Sequence, residues 1–144
     1  MFLVDTNVLV YAANADAPEG PRCREQLGAW REQASPWYLT WGVIYEFLRI
    51  VTHRRVLRSP WTPEGAWEFV AALLDSPSLH VLRETDRHDE VLGVVVAEVP
   101  GLKGNLLHDV HVATVMREHG IRRIVTRDGD FHRFPFLEVV DPLA

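Results

Sequence analysis

The 144-residue sequence contains one cysteine and one lysine, and it has no long apolar run. Cys23 alone cannot form an intrachain disulfide or a cysteine-based zinc site, and such sparse cysteine usage is typical of a reducing compartment. No segment approaches the roughly 18 consecutive apolar residues of a membrane span. The start lacks the basic region of a signal peptide, and Asp5 interrupts its short apolar run. These absences predict a cytoplasmic protein without a membrane segment.

Acidic side chains outnumber basic ones, 20 to 15, and the formal net charge is −5. This balance argues against a general attraction to nucleic acid over the whole surface, but it allows a local basic patch beside an acidic site. Apolar residues make up 47% of the chain and charged residues 24%, as in ordinary globular proteins. Because the sequence has no internal repeat or linker, residues 1–144 are predicted to form a single domain.

The N-terminal stretch Phe2-Leu3-Val4-Asp5 joins an apolar run to a carboxylate. Three consecutive apolar residues without polar alternation are typical of a central strand that is covered on both faces. Asp5 follows at the carboxyl end of this strand, which is the edge where open α/β sheets bind their ligands. Capping of the next helix is the structural alternative for the same side chain.

Along the rest of the chain, the apolar pattern alternates between strands and helices. Strands are predicted at residues 37–41, 78–82, 121–126 and 137–140, and helices at 8–13, 22–34, 42–53, 63–74, about 86–99 and about 106–119. The fifth helix is expected to turn five apolar residues inward: Val91, Leu92, Val94, Val95 and Val96. This alternation predicts an α/β fold with a mainly parallel sheet of about five strands, right-handed crossovers and helices on both faces.

Three further acids occupy places from which they reach the same edge of the sheet. Asp128 follows the predicted strand 121–126 as Asp5 follows the first strand, so the two converge if their strands are neighbours. Glu46 lies at the rim of the apolar face of its helix, and Asp109 lies on the buried face of another. Each also fits a structural role, as a solvated rim residue for Glu46 and as a partner of the helix dipole for Asp109.

Four carboxylates in an otherwise apolar setting would repel one another unless a cation neutralised them. Ligation by oxygen alone favours a hard ion such as Mg²⁺, with Mn²⁺ also possible, over zinc. Such an ion binds phosphate oxygens and activates water, which is the chemistry of nucleases. The densest cationic cluster contains Arg49, Arg54 and Arg55, which are either phosphate contacts or a solvated helix end.

Four segments carry these acids in a fixed order: Phe2-Leu3-Val4-Asp5-Thr6-Asn7, the helix that contains Glu46, His108-Asp109-Val110-His111-Val112-Ala113, and Ile124-Val125-Thr126-Arg127-Asp128-Gly129-Asp130-Phe131. In order and spacing they resemble the PIN-domain ribonucleases, most closely the VapC toxins of VapBC toxin–antitoxin modules. The resemblance covers essentially the whole chain. It implies a three-layer α/β/α sandwich and a Mg²⁺- or Mn²⁺-dependent endoribonuclease that cleaves RNA. It also implies a homodimer and a cognate VapB antitoxin that blocks the activity.

The resemblance assigns roles to individual residues of this sequence. Asp5, Glu46, Asp109 and Asp128 would form the acidic quartet that binds metal and catalyses hydrolysis. Thr6, Asn7 and Thr126 would support the quartet through hydrogen bonds, and Asp130 would be an auxiliary acid or a turn residue. Arg49, Arg54, Arg55 and Arg127 would be candidates for contact with RNA phosphates.

Other interpretations of the same residues have less support. A haloacid-dehalogenase-type phosphatase needs a second Asp two residues after the first, and Asn7 stands there. A zinc site at His108 and His111 lacks a convincing third ligand. The main alternative is a PIN fold that binds RNA or protein without catalysis, although every quartet position carries an acid. Trp61 and Trp67 are candidate antitoxin contacts if they are exposed.

Overall fold

Five strands form one parallel sheet in the computed structural model, which describes residues 1–144. The strands are β1 (Leu3–Val4), β2 (Trp37–Thr40), β3 (Leu79–Leu82), β4 (Arg123–Val125) and β5 (Glu138–Val140). Their order across the sheet is β3-β2-β1-β4-β5, and every neighbouring pair is parallel. The predicted five-stranded parallel sheet is thereby confirmed.

Helices surround this sheet: α1 (Thr6–Ala13), α2 (Gly20–Glu32), α3 (Trp41–Val51), α4 (Pro63–Leu74), α5 (His88–Glu98), α6 (Leu106–Glu118) and a short 3-10 turn (Gly129–Arg133). Leu3 and Val4 point to opposite faces of β1 and are both fully buried, so the sheet is covered on both sides. This three-layer α/β/α sandwich is the fold that the sequence predicted. No helix combines the length and the apolar character that crossing a membrane requires.

The pairing of β1 with β4 brings two of the predicted acids to the same edge of the sheet. Leu3 lies opposite Ile124, and Val4 lies opposite Val125. The ladder continues one step further, because the backbone N–H of Asp5 donates to the carbonyl of Val125 at 3.0 Å. Asp5 and the segment that follows β4 therefore leave the sheet side by side.

The amphipathic helix α3 begins directly at the end of β2. The hydroxyl of Thr40 caps it by accepting a hydrogen bond from the backbone N–H of Val43 at 3.1 Å. On its buried face, Phe47 is fully enclosed and stacks on Phe69 of α4 with ring centroids 5.2 Å apart, and Trp61 meets the Phe47 ring edge-on at 6.2 Å. This packing fixes the orientation of the helix whose rim carries the second predicted acid.

The interior of α5 differs from the sequence prediction. Val95 is fully buried and Val91 is partly buried, but Val94 and Val96 are 42% and 52% exposed. The prediction was wrong for these two because residues next to a buried helical position point about 100° away from it. The packing partner of α5 is α6, which covers one face of the helix and leaves both flanks in solvent.

Phe47→Ala is expected to lower the free energy of unfolding by about 3–5 kcal/mol, because it removes a fully buried ring and leaves a cavity between α3 and α4. Denaturant titration followed by circular dichroism measures the change. The matched control is Tyr45→Ala on the same helix, which should stay within about 0.5 kcal/mol since Tyr45 is 69% exposed. Equal losses for the two variants would contradict this packing.

Candidate functional site

A cleft of about 950 Å³ opens at the edge of the sheet where the strands end. Its walls come from α1, α3, the segment that precedes α6, the start of α6 and the 3-10 turn. Five carboxylates line it: Asp5, Glu46, Asp109, Asp128 and Asp130. The structure therefore places all four predicted quartet acids in one cleft and adds Asp130 to them.

Asp5 caps α1 and faces the cleft with the same carboxylate. Its Oδ1 accepts from the backbone N–H of Thr6 at 2.8 Å, and its Oδ2 accepts from Oγ1 of Thr126 at 2.7 Å and from Nδ2 of Asn7 at 3.0 Å. Burial raises the pKa of Asp5 above its ordinary value, although the hydrogen bonds from Thr126 and Thr6 oppose the rise. The capping role that the sequence allowed is present, and it coexists with a place in the cleft.

The hydroxyl of Thr126 is the centre of a hydrogen-bond network between the ends of β1 and β4. It donates to Asp5, and it accepts from Nδ2 of Asn7 at 2.8 Å and from the backbone N–H of Asp128 at 2.9 Å. The remaining amide atom of Asn7, Oδ1, accepts from the backbone N–H of Arg127 at 3.2 Å. Two of the three predicted supporting residues therefore hold Asp5 through their side chains.

Thr6, the third predicted supporting residue, acts mainly through its backbone. Its N–H binds Asp5, whereas its side-chain Oγ1 donates to the carbonyl of Val43 at 3.3 Å. This second bond ties the first turn of α1 to α3. Thr6 therefore holds two walls of the cleft together.

Asp109, Asp128 and Asp130 form the tightest acidic group in the cleft. One carboxylate oxygen from each lies within 4.8 Å of the other two. Oδ1 of Asp128 also accepts from the backbone N–H of Asp130 at 2.9 Å, so these two acids come from one turn. Burial raises the pKa of Asp109 to about 7, and repulsion from Asp128, Asp5 and Asp130 adds to the rise. The cleft thus holds more negative charge than its surroundings neutralise.

A divalent cation fits this set of donors. Carboxylate oxygens that converge at this spacing are the ligands of hard ions such as Mg²⁺ and Mn²⁺, and a cation would relieve the repulsion from Asp128, Asp5 and Asp130 that adds to the effect of burial on the pKa of Asp109. No histidine belongs to the group, so the zinc interpretation gains no support. Of its two candidate ligands, His111 instead binds Glu84 through Nε2.

Glu46 lines the same cleft but stands outside the tight group. Its two carboxylate oxygens bind the guanidinium of Arg49 at 2.6 and 3.2 Å. The hydrogen bond from Arg49 lowers the pKa of Glu46 below its ordinary value, against the effect of partial burial. The side chain is therefore held along α3 by its neighbour one turn later.

Three of the predicted basic residues lie on or beyond the α3 side of the cleft. Arg49 lines the cleft while it is bound to Glu46. Arg54 and Arg55 are exposed, lie outside the cleft lining and form no ion pair. The fourth, Arg127, follows β4 and is engaged elsewhere, with Glu19 at 3.6 Å and Asp141 at 3.5 Å.

Several lining residues were not assigned to the site by sequence reasoning: Tyr11, Lys103, Asn105, His108 and His111. The sequence interpretation considers the two histidines only as zinc ligands. They lie within two residues of Asp109 in the first turns of α6, so their closeness to a predicted site acid was the signal that could have found them. Lys103 lies in a connecting loop and gave no such signal.

Comparison with known proteins agrees with this geometry. The family model of the PIN domain matches residues 2–137. The VapC ribonuclease Mb2897 of Mycobacterium bovis is 36% identical over 143 residues, which are 99% of this chain and 96% of that protein. The solved structure of Mycobacterium tuberculosis VapC20, described as a sarcin-ricin loop cleaving toxin, has a TM-score of 0.69 at 21% identity and covers 98% of this chain and 100% of its own. VapBC2 from Rickettsia felis, bound to a DNA fragment from its promoter, has a TM-score of 0.69 at 18% identity, with 96% of each chain covered.

Asp109→Asn is expected to stabilise the metal-free protein above about pH 7 and to change its stability little near pH 4. The folded state keeps a proton on Asp109 up to about pH 7, whereas the unfolded chain releases it near the ordinary pKa of 3.8. Wild-type stability therefore falls as the pH rises through this window, and Asn has no proton to lose. Because the carboxyl is only half buried, solvent screening reduces the expected gain to about 1–2 kcal/mol.

Denaturant titrations in EDTA across this pH range measure the effect of Asp109→Asn. Asp16→Asn, at an exposed acid outside the cleft, is the control and should show no such pH dependence. Added Mg²⁺ should stabilise the wild type more than the Asp109→Asn variant, because binding to the folded state adds to its stability. A pH-independent difference between wild type and variant would contradict the charge balance described here.

Thr126→Val is expected to cost about 1–3 kcal/mol of stability, because Val has the same shape but leaves Asp5, Asn7 and the N–H of Asp128 each without one partner. Thermal or chemical unfolding measures the loss. Thr114→Val is the control, since this fully buried hydroxyl makes a single bond to the carbonyl one turn earlier in α6. A loss no greater than that of the control would show that the Thr126 network contributes little.

Proposed function

Because this chain belongs to the PIN domain family, and within it to the VapC ribonucleases, we propose that it is a metal-dependent endoribonuclease. Its substrate is RNA, and the reaction is hydrolysis of a phosphodiester bond in the acidic cleft. The observation that supports this most directly is the group of three aspartate oxygens within 4.8 Å of one another. Asp5 lies in the same cleft, and its carboxylate accepts hydrogen bonds from Thr6, Asn7 and Thr126.

The ion would be held by Asp109, Asp128 and Asp130 together with Asp5, and Mg²⁺ or Mn²⁺ suits these oxygen donors. When bound, the ion supplies positive charge for phosphate oxygens and lowers the pKa of a coordinated water. Glu46 is the fourth member of the proposed quartet and occupies the rim of the cleft. In the structure, its carboxylate accepts two hydrogen bonds from the guanidinium of Arg49.

The remaining cleft residues position the acids and the RNA. Thr126 and Asn7 hold the Asp5 carboxylate at the edge of the sheet through two side-chain hydrogen bonds. Arg49 and Lys103 line the cleft and would provide positive charge for RNA phosphates. Arg54, Arg55 and Arg127 are candidates for more distant phosphates; of these, Arg127 would first have to leave its two acidic partners.

The proposed biological role is that of the toxin in a VapBC module, acting on RNA in the cytoplasm and neutralised by a cognate VapB antitoxin. Support comes from the VapC ribonuclease of Mycobacterium bovis and from two similar solved structures, the VapC20 toxin and the VapBC2 complex. A homodimer is the expected assembly. Trp67 is the better of the two tryptophan candidates for an antitoxin contact, because it is 47% exposed whereas Trp61 packs on Phe47 and Phe69.

The alternative, a PIN fold that binds RNA or protein without cleaving it, has no observation in its favour at the site. Each quartet position carries a carboxylate, and the supporting threonine and asparagine make the hydrogen bonds that hold Asp5. A fold that had lost catalysis would have no need to keep several uncompensated acids in one cleft. Cleavage assays separate the two possibilities.

Purified, antitoxin-free protein is expected to cut total RNA into discrete products with Mg²⁺ or Mn²⁺ and to stop in EDTA. Asp5→Asn and Asp109→Asn should each lower the cleavage rate by at least about 100-fold. Mutation of a residue that only orients a metal ligand already lowers metal affinity or activity by about 10- to 100-fold. Asp16→Asn, outside the cleft, is the charge-matched control and should cleave like the wild type.

Gel electrophoresis and end mapping of the products measure cleavage, and circular dichroism confirms that each variant is folded. Cleavage that persists in EDTA, or in both cleft variants, would overturn the metal-dependent site. Folded wild type that binds RNA or a VapB protein but cuts nothing with either metal would favour the binding module.

A further inference from the structure

A second polar pair, His111 and Glu84, lies near the aspartate group, and His111 follows Asp109 by two residues in α6. Nε2 of His111 is hydrogen-bonded to Oε1 of Glu84 at 2.5 Å. Glu84 follows β3, and the His111 ring also approaches Gly42, which follows β2, whereas Asp5 and Asp128 follow β1 and β4. The cleft therefore extends along the sheet edge from Asp5 and Asp128, at the ends of β1 and β4, toward the ends of β2 and β3, where His111 forms part of its wall.

The other ring nitrogen of His111 is open to the cleft. Nδ1 makes no hydrogen bond within the protein, and both His111 and Gly42 line the cleft. A Cβ at position 42 would lie 3.4 Å from Nδ1 and 3.7 Å from Cε1, so the missing side chain of Gly42 leaves the space in front of this nitrogen free. The His111 side chain is 38% exposed.

Glu84 decides which kind of hydrogen bond Nδ1 offers. An ionised carboxylate only accepts, so the hydrogen of the neutral imidazole resides on Nε2 and Nδ1 carries a lone pair. This nitrogen is then an acceptor that faces the cleft. Phosphate oxygens have no hydrogen to give it. Base N–H groups do, but they differ from base to base, whereas every nucleotide of RNA carries a ribose 2′-hydroxyl.

The ring of His111 is held in place from behind. His88 of α5 meets it edge-on with ring centroids 5.8 Å apart. Nδ1 of His88 is bound at 2.7 Å to Glu118, whose side chain is fully buried and also accepts from the backbone N–H of Thr85 at 2.9 Å and from its hydroxyl. These contacts between α5 and α6 fix the plane in which Nδ1 points.

We propose that His111 determines specificity for RNA, by accepting at Nδ1 a hydrogen bond from the 2′-hydroxyl of a nucleotide beside the scissile phosphate. Glu84 is the positioning residue that fixes the tautomer, and Gly42 keeps the acceptor accessible. This inference rests on the proposed ribonuclease function and deepens it.

The test is a set of RNA oligonucleotides that contain the mapped cleavage site and one 2′-deoxy nucleotide at each position in turn. Wild type should lose about 10-fold in kcat/KM at one position near the site, the size of one hydrogen bond. His111→Gln retains an amide where Nε2 stood but has no acceptor at Nδ1. It should cut the all-RNA substrate about 10-fold more slowly and should show no further loss with the 2′-deoxy substrate.

Gly42→Ala provides an independent variant that leaves His111 and Glu84 intact. Its methyl group covers Nδ1, so it should lose the same 2′-deoxy sensitivity while the added Cβ favours the helix. His119→Gln is the matched control, because His119 is an exposed histidine of the same region whose Nε2 binds the carbonyl of Arg83 outside the cleft. It should keep the full 2′-deoxy penalty.

Two results would overturn the proposal: an unchanged 2′-deoxy penalty in His111→Gln, or a wild type whose losses follow base substitutions and no 2′-deoxy position. Thermal unfolding of each variant separates a contact from a folding defect, because a purely structural role would lower activity equally on all substrates. If neither the wild type nor any variant cleaves RNA, the proposed function fails on its own, and the affinities for sequence-matched all-RNA and 2′-deoxy oligonucleotides are measured instead of rates. Equal affinity of wild type for all-RNA and 2′-deoxy strands would then overturn this inference as well.

Discussion

The parallel pairing of β1 with β4 is the constraint on which the site depends. These strands lie far apart in the chain, yet their ladder sets Asp5 beside Val125 and so beside Thr126 and Asp128. One hydroxyl, that of Thr126, then joins the two strand ends by contacting a carboxylate, an amide and a backbone N–H. A shift of one residue in this register would turn the side chains to the opposite faces of the sheet and dissolve the network.

The site lowers the stability of the fold that carries it. Burial and mutual repulsion raise the pKa of Asp109 to about 7 and also raise that of Asp5, so the metal-free protein holds these acids at an energetic cost. A continuous core that includes fully buried Leu3, Phe47 and Met116 offsets it. A cation bound by these acids would relieve the repulsion, so it would add to stability as well as serve the proposed chemistry. A net charge of −5 spread over the surface would need no such cation.

The sequence predicted the parts of the site that depend on strand ends and helix faces. Asp5 and Asp128 follow short apolar strands, and Asp109 shares a helix face with buried residues, so local pattern and parallel topology were enough to bring them to one cleft. The direction of Glu46 was not predictable, because periodicity gives a face of α3 but not the rotamer that binds Arg49. The prediction that Val94 is buried was wrong for a related reason. In a run of consecutive apolar residues, the sequence does not tell which side of the helix will pack against its neighbour.

Long-range side-chain pairs were beyond the reach of the sequence. Glu84 and His111 are 27 residues apart, and neither stands in a motif that pairs them. Only the folded chain sets their hydrogen bond beside the gap at Gly42. In the proposed function, the acids bind a cation that contacts phosphate, a group that every nucleic acid offers. The proposed acceptor at Nδ1 of His111 is directional, so it would distinguish RNA from other polyanions, which a cation that contacts phosphate would not do.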